Sequence, residues 1–218
     1  MQLTESYLRE FPASVLARYD FLETRNAASV INGANTAEFA EVVAVLKQFK
    51  LLRKDLTESG GNKSALAARI DLAFRKLGWR EGQHILRITS TVRRMPWRPA
   101  GEQSSSDVES EVLSEGYKVD NLKGRVALDV EWNAKDGNLD RDLGAYRALY
   151  DEAIIDGAIM VTRSTDDLRA LQLQLGARAR LGTTTTTNIV KLHDRLTRGS
   201  AGGCPVLAVA ITARCLAK

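Results

Sequence analysis

The sequence predicts an α/β fold: a mixed central β-sheet flanked by helices, with a helical N-terminal part. Three observations predict it. From Gly124 onward short apolar runs alternate with helix-period stretches, the order that packs helices on both sides of a sheet. Two strand-like segments, 108–120 and 124–133, stand close together around a short turn, which makes the sheet mixed. The first third carries helical periodicity instead.

Taken in order, a first helix is expected around Ala13 to Ile31. Asn35 with Glu38 has the spacing of a capping box, and Ala40, Val43, Leu46 and Leu51 continue as an apolar stripe to about Leu52. Ser59-Gly60-Gly61 breaks the chain. A helix follows from Ser64 to Leu77, with Leu66, Ile70, Phe74 and Leu77 on one side and Gly78 as its stop. Ile85 to Val92 reads as a strand and Arg93 to Ser106 as a loop. Val108 to Asp120 is strand-like, and Gly124 to Asn133 pairs with it. The stretch 138–152 places Leu139, Leu143, Tyr146 and Leu149 on the inner face of a helix. Asp156 to Thr162 is a continuous apolar run, the mark of a strand covered on both faces. Helices over 165–175 and 187–198 and a last apolar strand over 204–212 complete the order.

The 218 residues suffice for one sizeable domain, and 44% hydrophobic content supports a core. No run of eighteen apolar residues exists, so no membrane contact is expected. Met1 to Phe11 lacks the apolar segment of a secretion signal, so a cytoplasmic location is expected. Cys204 and Cys215 are too few for a disulfide framework and read as reduced, buried thiols. The net charge of +4 is mildly basic, compatible with a polyanionic partner.

The chemistry concentrates between Tyr117 and Lys135. In the second strand of the pair Val126, Leu128, Val130 and Trp132 alternate with Ala127, Asp129 and Glu131. Residues two apart share a face, so Asp129 and Glu131 project opposite the apolar set. Asp120 is placed where the preceding strand ends. Three carboxylates from two strands then converge, and clustered carboxylates repel unless a cation or a proton separates them. Such a face can be a metal site, an acid/base pair or a solvated surface. The large flanking apolar residues and the surrounding Lys118, Lys123, Arg125 and Lys135 favour a metal site that a phosphodiester approaches. Hard oxygen donors suit magnesium, with manganese as a substitute. His84 and His193 stand far apart and offer no ligand spacing.

The run Val119-Asp120-Asn121-Leu122-Lys123-Gly124-Arg125-Val126-Ala127-Leu128-Asp129-Val130-Glu131-Trp132-Asn133 resembles the active-site hairpin of the PD-(D/E)XK nuclease superfamily. More narrowly, it resembles the type II restriction endonucleases of the BglII and BstYI group. The likeness extends through 132–136, 140–143, 155–157, 182–185 and 202–207, roughly the C-terminal half. An Asp, eight residues, an acidic residue, one residue and a polar residue form the shared pattern, which falls on Asp120, Asp129 and Glu131. The resemblance implies a restriction-endonuclease-like core over residues 81–218. Residues 1–80 would be a helical part packed on it, within one compact domain. It implies metal-dependent hydrolysis of double-stranded DNA at a palindromic site by a homodimer. The superfamily usually places Lys at the third position, where this chain has Glu131 and the BglII group has Gln. Glu131 then binds metal directly or through water, and Lys135 is either a replacement cation or a solvated turn residue.

DNA reading is expected around 176–203. Arg178, Arg180, Thr183, Thr184, Thr185, Thr186, Thr187 and Asn188 precede a helix carrying Lys191, Arg195 and Arg198, and Asn133 adds an amide. Hydroxyls, amides and arginines suit phosphate and base-edge contacts. Weaker backbone contacts are expected from Lys63 and Ser64, which open a helix, and from Arg93, Arg94 and Arg98 beside Trp97. Two alternatives share this pattern. One is a repair or recombination nuclease; the other is a DNA-binding module whose nuclease site has decayed.

Overall fold

A computed structural model describes residues 1–57, 64–177 and 181–217. The described chain forms two units, one of Met1–Gly82 with Lys118–Lys218 and one of Gln83–Tyr117. In order the elements are α1 (Tyr7–Glu10), α2 (Ala13–Leu16), β1 (Tyr19–Glu23), α3 (Ala27–Ala34), α4 (Thr36–Gln48), α5 (Arg53–Thr57) and α6 (Ala65–Lys76). Then come β2 (Arg80–Arg94), β3 (Ser106–Lys123), β4 (Val126–Val130), α7 (Gly137–Asp151), β5 (Gly157–Arg163), α8 (Asp166–Gln174), α9 (Ile189–Thr197) and β6 (Val206–Ile211).

The six strands form one sheet in the order β1-β6-β5-β4-β3-β2. β4, β5 and β6 run parallel, while β3 pairs antiparallel with β4 and β1 antiparallel with β6. The parallel strands need crossovers, which α7 supplies between β4 and β5, and α8 with α9 between β5 and β6. Side-chain alternation divides the core. Val126, Leu128, Val130 and Trp132 pack with Ile31, Phe39, Ile70, Phe74 and Leu168 on one face. Ala127, Ala158, Met160 and Ala208 pack with Leu139, Leu143 and Tyr146 of α7 and Leu192 and Leu196 of α9 on the other. Small residues lie under α7, so that helix sits close to β5. The mixed sheet with helices on both faces is the expected fold class.

The expected helix over 13–31 is corrected. The structure has α2, then β1, then α3, and the intervening Tyr-Asp-Phe-Leu-Glu joins the sheet edge against β6. Asn35 and Glu38 do not form a capping box. Asn35 instead donates to Asp156 and accepts from the Arg125 N–H, which ties α4 to the turn before β4. β2 and β3 both run beyond their expected ends. Asp120 therefore lies within β3, three residues before its end, rather than at a strand terminus. The connection from β3 to β4 is the two-residue turn Gly124-Arg125, and Gly124 takes the left-handed φ of +53° that such a turn requires. Cys204 and Cys215 are buried free thiols, as expected. Among the described residues no helix is long and apolar enough to cross a membrane.

Candidate active site

β4 delivers the acidic residues. The β3–β4 register, Asn121 opposite Leu128, places Asp120 beside Asp129 when extended by one residue. The Asp120 N–H donates to Asp129 Oδ1 at 2.7 Å, and the Tyr146 hydroxyl of α7 donates to Asp129 Oδ2 at 2.7 Å. Glu131 follows the end of β4, yet its N–H still bonds the Val161 carbonyl at 2.8 Å. Its own carbonyl accepts the hydroxyls of Thr162 and Thr187, both at 3.0 Å. The backbone carrying the third acid is thus fixed from β5 and from the segment before α9.

The solvated-surface reading fails, because Asp129 is 4% and Glu131 6% exposed. Asp120 and Glu131 line one cleft of about 250 Å³ with Asp71, Asn138 and Arg141. Asp129 lies behind it, committed to β3 and α7. The structure therefore brings two of the three expected acids into one cleft and uses the third to support them. Among the described residues no three acidic, His or Cys side chains stand close enough to enclose an ion as placed.

Sequence reading missed two further acids. Asp142 of α7 is buried beside Glu131 and takes the Nε and Nη2 donors of Arg141 at 3.1 and 3.0 Å. Asp71 of α6, also buried, accepts from the Asn121 amide at 3.0 Å. A signal existed for each. Asp142 falls between Leu139 and Tyr146 on the inward stripe of α7, and Asp71 lies between Ala67 and Phe74 on that of α6.

Asp129, Glu131 and Asp142 hold their protons tightly. Burial, then repulsion from Asp142, pushes Asp129 up to about 7. Burial, then Asp142 and Asp129, raises Glu131 well above the carboxylate range. Burial also raises Asp142, against the pull of Arg141. Glu131 Oε2 and Asp142 Oδ2 are buried without a donor. Two such oxygens are stabilised by a shared proton or by a cation, so the donor chemistry here fits a hard divalent ion.

Lys135 is exposed, pairs through its backbone with Thr186, and is not among the cleft residues. Among the described residues, Arg141 is the cation that lines the cleft.

The expected DNA-reading segment divides. Thr187 and Asn188 are buried, contrary to expectation. Thr187 anchors Glu131, and Asn188 caps α9 by accepting the Lys191 N–H. Thr186 bonds Arg163 and Gly182, Lys191 bonds Asp136 and Thr184, and Arg195 grips both oxygens of Asp140 at 2.8 Å. These five are held internally, while Thr184, Thr185 and Arg198 are exposed, Asn133 is exposed, and Thr183 is half-buried. Lys63, Arg178 and Arg180 lie outside the described residues. Ser64 caps α6, accepting the Ala67 N–H. Arg93 is paired with Asp107; Arg94 and Arg98 are exposed.

Arg163, at the end of β5, was not foreseen. It is fully buried, and its guanidinium bonds the carbonyls of Thr187 and Gly182, the Thr186 hydroxyl and the Asn133 side chain. It also lies 5.9 Å from the centre of the Trp132 ring. Burial lowers it only to about 10, so it is charged at neutral pH. One side chain thus fastens the 182–187 loop to the acid-bearing segment. Arg163→Met leaves those acceptors unpaired and is expected to cost roughly 3 kcal/mol. Chemical denaturation of the purified variant checks this.

The sequence model of one family, restriction endonuclease BglII/BglIII, matches residues 19–211, nearly the full chain. No curated protein matches the chain.

Proposed function

The chain belongs to the BglII/BglIII restriction endonuclease family, type II site-specific deoxyribonucleases that act on DNA, and from that membership we propose a magnesium-dependent cut at a palindromic duplex site. The observation that carries the proposal is the cleft at the end of β4, where Asp120 and Glu131 meet in front of a buried, hydrogen-bonded Asp129. Asp120 and Glu131 would hold the ion, with Asp129 bracing Asp120 from behind the cleft, and manganese would serve in place of magnesium. An ion bound there polarises a phosphoryl oxygen and lowers the pKa of a bound water.

The chain's own residues prepare the site. Tyr146 and the Asp120 N–H fix the orientation of Asp129. Arg141 pairs with Asp142 and offsets part of the cost of burying its carboxyl beside Glu131. Thr162 and Thr187 hold the Glu131 backbone in place. The DNA contacts fall to Thr183, Thr184 and Thr185 on the loop that Arg163 fastens and to Asn133 on the acid-bearing segment, with Arg198 for a phosphate. Cutting both strands of a palindrome calls for a two-fold pair of chains, whose symmetry matches that of the site.

Digestion of several plasmids with magnesium, followed by run-off sequencing, tests this reading. The expected result is discrete duplex fragments ending at one repeated sequence, and none with EDTA. Single-strand nicks, junction-specific cuts, or binding without cleavage under any divalent ion would contradict it.

A further inference from the structure

A phosphodiester entering the cleft brings further negative charge to Asp120 and Glu131. The sequence offers four cations around the acidic strand, Lys118, Lys123, Arg125 and Lys135. The structure places each of them elsewhere. Lys118 stands 3.7 Å from Glu81. Lys123 is held by Glu41 and by the Leu77 carbonyl at 2.7 Å. Arg125 donates to Asp156 at 2.9 Å and to the Ala153 carbonyl at 2.6 Å. Lys135 is exposed and is not among the cleft residues. Arg163 is fully buried, with its guanidinium bonded to the 182–187 loop. Among the described residues, Arg141 alone brings a positive charge to the cleft lining.

Arg141 is also held in one orientation. It lies three residues after Asn138 on α7, a spacing that puts both on one helix face, and both side chains line the cleft. Its Nε and Nη2 donate to Asp142 Oδ1 at 3.1 and 3.0 Å. The Asp142 side chain is buried, whereas that of Arg141 is 59% exposed. Asp142 therefore grips one edge of the planar guanidinium from the protein side. The edge formed by Nη1 and the second Nη2 hydrogen makes no hydrogen bond among the described residues. Such an edge is a two-donor fork that matches a pair of phosphate oxygens. Burial works against the charge of Arg141, but Asp142, Glu131 and Asp129 raise its pKa above the usual arginine value, so the fork stays charged.

We propose that Arg141 is a catalytic residue that binds the scissile phosphate, presenting its Nη1 edge to the non-bridging oxygens while Asp142 holds the Nε edge. The inference rests on the nuclease reading above and adds the side chain that meets the reacting group. As water adds to phosphorus and one ester P–O bond breaks, negative charge gathers on the oxygens around phosphorus. Donors already in place there lower the barrier. Arg141 gives up no proton; the leaving oxygen takes one from solvent. Asp142 acts through Arg141 as a positioning residue.

Arg141→Gln tests this on a duplex carrying the cut site that run-off sequencing defines. Single-turnover cleavage in magnesium is expected to fall ~100-fold or more. Arg141→Lys, which keeps the charge without the fork, should recover part of that loss. Calorimetry of the DNA-free proteins should find manganese bound by Arg141→Gln at least as tightly as by the parent, since a cation beside the acids is gone. Weaker manganese binding would make Arg141 a brace for the acids and overturn the proposal. The deciding probe is the same duplex with a methylphosphonate at the cut position, which removes the charge of that one phosphate. In calcium the replacement should weaken binding to the parent by a factor ~10 times larger than for Arg141→Gln. Equal factors in the two proteins, with the parent still cutting the ordinary duplex, overturn the Arg141 contact and leave the nuclease reading standing. A parent that cuts no duplex overturns both.

Discussion

Asp120→Asn is expected to lower DNA cleavage by about a thousandfold or more while leaving DNA affinity within a few-fold of the parent. The substitution preserves shape and removes one negative charge at the mouth of the cleft. Asp120 is half-buried, and its backbone N–H, which braces Asp129, is unaffected. A folding defect is therefore not the expected outcome. Binding measured by fluorescence anisotropy in calcium and cleavage measured in magnesium separate the two effects. A variant that cuts as fast as the parent removes Asp120 from the site. A variant that loses binding in proportion to cutting makes it a DNA contact instead.

The second large effect is on stability without metal. Asp129 takes up its proton near pH 7 in the folded chain and near 4 when unfolded. The folded state binds that proton more tightly, so stability is greatest at low pH and falls as pH rises from about 4 through 7. Glu131, also raised, acts in the same direction. Asp136, Asp140 and Asp156 are lowered by Lys191, Arg195 and Arg125, so their contribution is lost only as the pH falls below the ordinary carboxylate range. The two effects occupy separate pH windows. Urea unfolding in EDTA should therefore show the parent weaker at pH 8 than at pH 4.5. Asp129→Asn should lose part of that slope, the remainder belonging to Glu131, and gain up to about 4 kcal/mol at pH 8, the equivalent of some three pKa units. Added magnesium should stabilise both proteins at pH 8, since Asp120 and Glu131 remain in each. Parallel pH profiles for the two proteins would mean that Asp129 carries no such burden.

The sequence was most legible where a single physical rule acts locally. Alternation placed Asp129 and Glu131 opposite Val126, Leu128 and Val130, and the structure has them on opposite faces of β4. The continuous apolar runs marked β5 and β6 because both faces of those strands are covered. Legibility failed where distant pairing decides. Tyr19 to Glu23 becomes a strand only because β6, almost 190 residues on, supplies its ladder. Lys191 and Arg195 pair with Asp136 and Asp140, partners on a separate segment that spacing does not announce. Thr187 looked like a free polar group because nothing nearby in sequence announces the Glu131 carbonyl or the Arg163 guanidinium. Asp71 and Asp142 were within reach. An acid at an inward position of an amphipathic helix is costly unless it serves a site, and both fall on such positions.

The proposed chemistry requires a divalent ion in the cleft between Asp120 and Glu131. Crystals grown with manganese and measured at its absorption edge answer this directly. The expected result is an anomalous peak within ligand distance of Asp120 and Glu131, lost in Asp120→Asn. No peak at the cleft, in crystals of a protein that cuts DNA in the same manganese buffer, would contradict it.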